Sequence, residues 1–410
     1  MATQNINGER LWDSLMEMAR IGATDKGGVN RLTGTDLDKQ GRDLFRSWCE
    51  EAGCSVTVDA LGNMFARRPG RNPDKPPVGL GSHLDSQPTG GKFDGALGVL
   101  AGLEVVRSLN DQGVETEAPI EVVNWTNEEG SRFSPPMMCS GAWAGVFTPE
   151  YAAGRADEDG KTLGDEIARI GYAGPEPVGR HALGWFLELH IEQGPVLEAE
   201  GIPIGIVTGG QAQRWYEATV TGQDAHAGPT PMSRRKDALV AAARMVETVN
   251  AIGHEFQPDA CATVGYMRVH PNSRNVIPGE VFFSIDLRHP DDDTLTAMDQ
   301  ALKERCRSIA EQADVSLELV DLWHCPPTVF DERCVAAVGE AAQEAGLPAR
   351  KIISGAGHDA FYVSRAAPTA MIFVPCRDGI SHNEIEYASP EACAAGAEVL
   401  RGAALRLAGS

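Results

Sequence analysis

Apolar residues recur at helical spacing near the start of the chain, at Leu11, Leu15, Met16 and Ala19. They do so again at Leu37, Leu44, Phe45 and Trp48, with Thr35 placed to cap a helix and Gly53 to stop it. The period then shortens. "SVTV" (Ser55–Val58) and "NMFARR" (Asn63–Arg68) predict two strands around a turn containing Gly62. "PPVGLGSH" predicts a buried strand ending near His83. Gly95–Asn110 carries a broad apolar face through Leu97, Leu100, Ala101, Leu103 and Val105, which predicts a helix, and Ile120–Thr126 predicts another buried strand. Strand, helix, strand in that order predicts an α/β fold with a mostly parallel sheet.

From about Gln213 to Thr328 the rhythm changes. "RWYEATVTG" predicts a strand and Asp237–Gly253 a helix. "CATVGYMRVH" and "EVFFSIDLRH" predict two strands, "DDDTLTAMDQALKERCRSIAEQA" a helix opened by acids that suit its dipole, and "DVSLELVDLW" a last strand. The order is βαββαβ, the ferredoxin-like plan. Helix Arg333–Gly346, strands "KIIS" and "AMIFV", and a helix from Pro390 then resume the first pattern. The expected domains are therefore 1–212 with 329–410, interrupted by an insert at 213–328. No internal repeat or low-complexity linker divides them.

Length and charge narrow the function. A chain of 410 residues exceeds one compact core, in keeping with two domains. A net charge of −22 argues against nucleic acid or an anionic membrane as partner. It does not exclude an anionic substrate, because one local arginine outweighs a diffuse field at contact range. The nine cysteines are scattered without a C-x-x-C pair, which predicts reduced thiols in a cytoplasmic protein. No signal-like leader opens the chain, and no apolar run approaches the roughly 20 residues of a membrane span.

Open α/β sheets bind ligands beyond the carboxyl ends of their strands. His83 and Asp85, Asp94, the pair Glu128–Glu129, His190 and His382 fall at such places or near them. Taken singly, each has an ordinary reading as a hydrogen-bonded histidine, a helix cap or a solvated turn. Together, three imidazoles and several carboxylates match the ligands of zinc-like divalent ions. Burying those acids without a cation would be costly through repulsion and desolvation.

The segments "GSHLDSQPTGGKFDGALGVLAGLEVV", "NWTNEEGSRF", "LELHIEQGPVLE", "DAHAGPTPM", "NSRNVIPGE", "SGAGHDA" and "SHNEIEYAS" run from Gly81 to Ser389. In them the chain resembles the N-carbamoyl-L-amino acid hydrolases and β-ureidopropionases, of the dinuclear-metal aminoacylase and carboxypeptidase superfamily. The resemblance implies a metallopeptidase-like catalytic domain interrupted by a ferredoxin-like lid and dimerisation domain. It implies two divalent cations, zinc first, with manganese, cobalt or nickel as alternatives. His83 and His190 would hold one ion, Glu129 and His382 the other, and Asp94 would bridge them. Asp85 would accept the second ring N–H of His83 and fix its tautomer. Glu128 would be the general base. His226 would stabilise the oxyanion, delivered across a dimer interface. Asn275 and Arg288 would grip the substrate carboxylate, and Gln193 and the backbone at Gly357 the ureido group.

The implied activity is hydrolysis of N-carbamoyl amino acids, α or β, to amino acid, ammonia and carbon dioxide by a homodimer. Allantoate amidohydrolases share "EQGPVLE" and "SGAGHDA", so that activity stands as an alternative, with N-acyl-amino acid deacylation or peptidase action. A non-catalytic metal-binding or sensing protein is the reading from another class; Glu128, which a purely structural site does not require, argues against it. His358 and Asp359 stand open between a helix start and an active-site wall. His270, His289, His324 and the acids Asp291–Asp293 are set aside. Cys139 reads as a small buried side chain.

Overall fold

The computed structural model describes residues 5–409. The chain divides into two compact units. One takes the chain up to Gly209 and again from Val329; the other is Gly210–Thr328.

The first unit is built on a nine-stranded sheet. Its centre is four parallel strands in the spatial order Ile120–Trp125, Val78–His83, Trp185–Ile191, Thr369–Val374. Antiparallel neighbours flank them, Met64–Arg68 beside Ile120–Trp125 and Ile204–Gly210 beside Thr369–Val374. Val78–His83, Ile120–Trp125 and Thr369–Val374 are buried at every position, which is why they are mostly apolar without a polar residue at every second place. The register sets the site: His83 lies opposite Trp125, and His190 opposite Phe373, so all four carboxyl ends open at one rim.

Helix Ala96–Asp111 makes the crossover between the neighbouring parallel strands Val78–His83 and Ile120–Trp125. Leu97, Leu100, Leu103, Val105 and Val106 are all buried on it. Each such side chain contributes about 1.5–3 kcal/mol relative to exposure, so packing rather than propensity holds this helix. It packs on Pro390–Ala408, which packs in turn on Glu332–Glu344. Thr35 accepts from the Asp38 amide and starts helix Asp36–Glu51, and Gly53 follows its end in the left-handed region at φ 81°. Three short helices, Met138–Trp143, Pro149–Ala153 and Leu163–Arg169, lie between the strands Ile120–Trp125 and Trp185–Ile191, where no period predicts them.

The second unit carries an antiparallel sheet in the order Met267–His270, Glu280–His289, Ala212–Thr221, Ser316–Cys325. Helices Ala238–Glu255 and Asp292–Ala313 cover one face, burying Val220, Phe283, Ile285, Leu287, Met245 and Leu302 between them. The first strand, Ala212–Thr221, thus lies between Glu280–His289 and Ser316–Cys325 with Met267–His270 outside, which is the ferredoxin-like arrangement. The expected strand "CATVGYMRVH" is instead two, Cys261–Thr263 and Met267–His270, both paired to Glu280–His289. Thr263 sits opposite Asp286 and Met267 opposite Phe283, so this side holds one residue more than its partner. Gly265 lies in the resulting bulge.

Candidate metal centre

His83 ends its strand and His190 is the penultimate residue of its own. The Nδ1–H of His83 donates to the Asp85 backbone carbonyl at 2.9 Å, and that of His190 to the Ile191 carbonyl at 2.9 Å. A carbonyl only accepts, so each ring carries its proton on Nδ1 and turns Nε2 inward. Those Nε2 atoms lie 3.5 Å and 3.1 Å from Oδ1 of Asp94. The other oxygen of Asp94, Oδ2, lies 3.5 Å from Nε2 of His382, which is 3.3 Å from Oε2 of Glu129. Two ligand trios therefore share Asp94: His83, Asp94 and His190, and Asp94, Glu129 and His382. A third group, Glu188, His190 and His358, adjoins the first.

The donor set fits a divalent cation. It is nitrogen and carboxylate oxygen, the chemistry that zinc and its neighbours accept. Nε2 of His83 is buried with no hydrogen-bond partner, a costly arrangement unless a cation faces it.

The backbone explains how the groups come so close. Gly95, between Asp94 and the crossover helix, has φ 64°, and a Cβ there would lie 2.4 Å from the His83 ring. Glu128 and Glu129 sit on a turn between two left-handed residues, Asn127 (φ 58°) and Gly130 (φ 63°). The two acids diverge. Oε2 of Glu128 lies 3.4 Å from Nε2 of His83. Glu129 accepts from the Gln87 amide (3.0 Å) and side chain (2.7 Å) and faces His382.

Asp85 acts differently from the expectation. Its carboxylate is 3.7 Å from Nδ1 of His83, and its backbone carbonyl takes that proton instead. The carboxylate supports the turn: Oδ1 accepts from the Glu128 amide and Oδ2 from the Glu129 amide, each at 3.3 Å, and Oδ2 also from the Thr33 hydroxyl at 2.9 Å. The strand end carries the chain past His83 so that the carbonyl reaches the ring first.

Electrostatics separate the two key acids. Burial pushes Glu128 well above the usual carboxylate range, with Asp359, Glu129 and Asp94 reinforcing the rise against His83. Asp94 is also buried, yet His190 and His83 hold it well below that range.

Gln193 (φ 56°) donates through Nε2 to Oδ2 of Asp94 at 2.9 Å and to the Ser381 hydroxyl at 3.0 Å, so that amide group is engaged by the site's own residues. Gly357 lies in the loop before helix Asp359–Val363. His358 is buried with its ring 4.4 Å from that of His190, which makes it a wall of the site. Asp359 is the first residue of the helix and accepts from Ser140 at 2.5 Å. Cys139 is fully buried, and burial pushes its thiol well up, away from nucleophilic use.

His226, Asn275 and Arg288 belong to the second unit. Strands Ala225–His226 and Val276–Ile277 pair there, so His226 and Asn275 share one small ribbon, with the Ala227 amide donating to the Asn275 carbonyl at 2.9 Å. The Gly228 amide donates to Nδ1 of His226, which leaves the ring proton on Nε2. Arg288 lies on the large sheet in a strand paired on both sides, and it bonds Asp286 at 2.7 Å.

Sequence reasoning passed over Ser381 and Glu386, though both stand in the quoted segment "SHNEIEYAS". Ser381 lies 3.0 Å from Oδ2 of Asp94 and 2.8 Å from Glu386. Burial and Asp94 push Glu386 up to about 7.

The family model described as peptidase family M20/M25/M40 matches residues 79–406, which take in every residue of both trios. The chain belongs to the peptidase family M20/M25/M40. Within this M20 setting, it is 52% identical over 405 residues to an N-carbamoyl-L-amino-acid amidohydrolase from Rhizobium meliloti, covering 99% of this chain and 97% of that protein. It is 35% identical to an allantoate amidohydrolase from Bacillus subtilis, with 92% of each chain covered. Its fold matches the crystal structure of an amidase of the hydantoinase/carbamoylase family from Burkholderia vietnamiensis at TM-score 0.98 and 60% identity, over 100% of this chain and 99% of that one.

Proposed function

We propose that this M20 member hydrolyses N-carbamoyl amino acids to the free amino acid, ammonia and carbon dioxide. The observation that carries the reading is the carboxyl group of Glu128 beside two ligand trios that share Asp94. The 52% identical amidohydrolase, which matches along nearly the whole chain, supports this substrate class over allantoate, whose hydrolase stands at 35%.

In this reading His83, Asp94 and His190 hold one divalent ion and Asp94, Glu129 and His382 a second, with zinc foremost and manganese, cobalt or nickel as alternatives. Bound there, the ions supply Lewis acidity that polarises the ureido carbonyl and lowers the pKa of water. Glu128 takes a proton from the attacking water as oxygen adds to the ureido carbon. It then gives that proton to the leaving nitrogen as one C–N bond breaks. The carbamic acid that remains releases carbon dioxide, so one water is consumed overall. His226 presents an Nε2–H suited to an oxyanion. Arg288 and Asn275 hold the substrate carboxylate, Arg288 by exchanging Asp286 for it. Gln193 and the Gly357 backbone border the ureido group. The enzyme acts as a homodimer in the cytoplasm, a compartment in which the nine free thiols would persist.

The test is a panel of N-carbamoyl-alanine, N-carbamoyl-β-alanine, allantoate and N-acetyl-alanine, read by amine and ammonia release with and without a chelator. Chelator-sensitive turnover of an N-carbamoyl amino acid is expected to exceed the others. Preference for allantoate or the acetyl compound overturns the substrate assignment. In the same assay Arg288→Ala raises KM with bound metal unchanged; an unaltered KM removes Arg288 from the site.

A further inference from the structure

Glu386 ties together two loops almost three hundred residues apart. Its Oε1 accepts from the backbone amides of Phe93 (3.0 Å) and Asp94 (3.1 Å), and its Oε2 bonds the Ser381 hydroxyl at 2.8 Å. The side chain is buried. One loop carries Asp94, shared by both trios. The other carries His382, whose side chain is 53% exposed and whose backbone is left-handed at φ 52°. An exposed ligand in that backbone region gains little from packing, so something else must set its place.

Ser381 completes the link. Its oxygen lies within hydrogen-bond distance of Oδ2 of Asp94 (3.0 Å) and receives Nε2 of Gln193 (3.0 Å). Glu386 therefore grips the Asp94 loop directly through two backbone amides, while Ser381, whose single hydroxyl proton serves either Glu386 or Asp94, lies between the two carboxyl groups. A second observation points to the same carboxyl group. A Cβ added at Gly91 would lie 2.0 Å from Oε1 of Glu386 and 2.1 Å from its carboxyl carbon. Only glycine leaves that carboxyl its seat, although the backbone of Gly91 is outside the left-handed region.

We propose that Glu386 is a positioning residue for the cation site, holding the Asp94 and His382 loops at the separation that the trio Asp94, Glu129 and His382 needs to bind a divalent ion. The proposal deepens the two-ion reading above and rests on it for the second ion, but not on the identity of the substrate.

Zinc binding, measured by competition with a chromophoric chelator and by metal content after gel filtration, tests it apart from turnover. In Glu386→Ala the weaker zinc-binding step is expected to lose about tenfold or more in affinity, the scale for groups that orient metal ligands. Gly91→Ala is expected to reproduce that loss by expelling the carboxyl group, and the double variant to show no loss beyond Glu386→Ala alone. Glu386→Gln keeps an oxygen for the two amides and is expected to restore most of the affinity. Wild-type zinc affinity in Glu386→Ala, or losses that simply add in the double variant, overturns the proposal. If Glu386→Ala does not fold, Gly91→Ala decides alone, and unchanged zinc binding there overturns it. Wild-type protein that binds zinc but leaves N-carbamoyl amino acids intact rejects the substrate reading and leaves this proposal standing.

Discussion

At the scale of residues, the two adjacent acids show how one turn assigns two roles. Glu129 is engaged by Gln87 and turned to His382, while Glu128 is buried and faces His83. Glu128→Gln keeps the shape and removes the proton acceptor. It is expected to lower kcat by at least about a hundredfold, the lower range for a lost general base, with bound metal unchanged. Wild-type turnover in that variant would reject Glu128 as the base. The cluster of His83, Asp94, Glu129, His190 and His382 was legible because cation chemistry restricts the residue types and the parallel sheet restricts where they gather. The hydrogen bonding of Asp85 was not. Whether its carbonyl or its carboxylate meets the imidazole depends on the path of the chain after His83, and residue types alone do not encode that path. Glu386 was hidden for a related reason: two of its partners are backbone amides, which every sequence supplies everywhere.

At the scale of elements, long periodic segments were legible and short ones were not. A helix such as Ala96–Asp111 repeats its apolar positions over several turns, whereas Pro149–Ala153 is too short to show a period. The segment around His181 carries no period either, and it is held by charge. The ring stacks on Phe65 with centroids 4.0 Å apart. It meets the buried Glu121 at 2.6 Å and Glu176 at 3.2 Å, and Arg67 pairs with the same Glu121 at 2.9 Å. Burial works to lower the pKa of His181, but Glu121 and Glu176 outweigh it and the net shift is upward. A histidine with a raised folded-state pKa contributes stability that is fully present below its unfolded value of about 6.5 and is lost as pH rises through the folded value. His181→Gln should therefore flatten the fall in Tm as pH rises above about 6.5 relative to wild type. Equal Tm profiles would show that the clamp carries no charge in the folded protein.

At the scale of the whole molecule, the first unit buries an uncommon number of acids at one rim. Asp85, Asp94, Glu128, Glu129, Glu188, Asp359 and Glu386 are all buried around the three imidazoles. Such a cluster stores repulsion that cations relieve, so metal binding here is linked to folding. A ligand at a hundred times its Kd stabilises by about 2.7 kcal/mol, and at about 2.1 cal/mol/K per residue each kcal/mol moves Tm by about 1.6 °C in a unit of roughly 290 residues. Chelation is thus expected to lower Tm by roughly 4 °C for each ion lost, and added zinc to restore it. Loss should proceed in two stages during timed dialysis, because His382 is 53% exposed while the side chains of His83 and His190 are each 1% exposed. Metal content followed by mass spectrometry alongside calorimetry reads both effects. A Tm indifferent to chelator would mean that these acids are tolerated without cations, and the metal reading of the rim would fall with it.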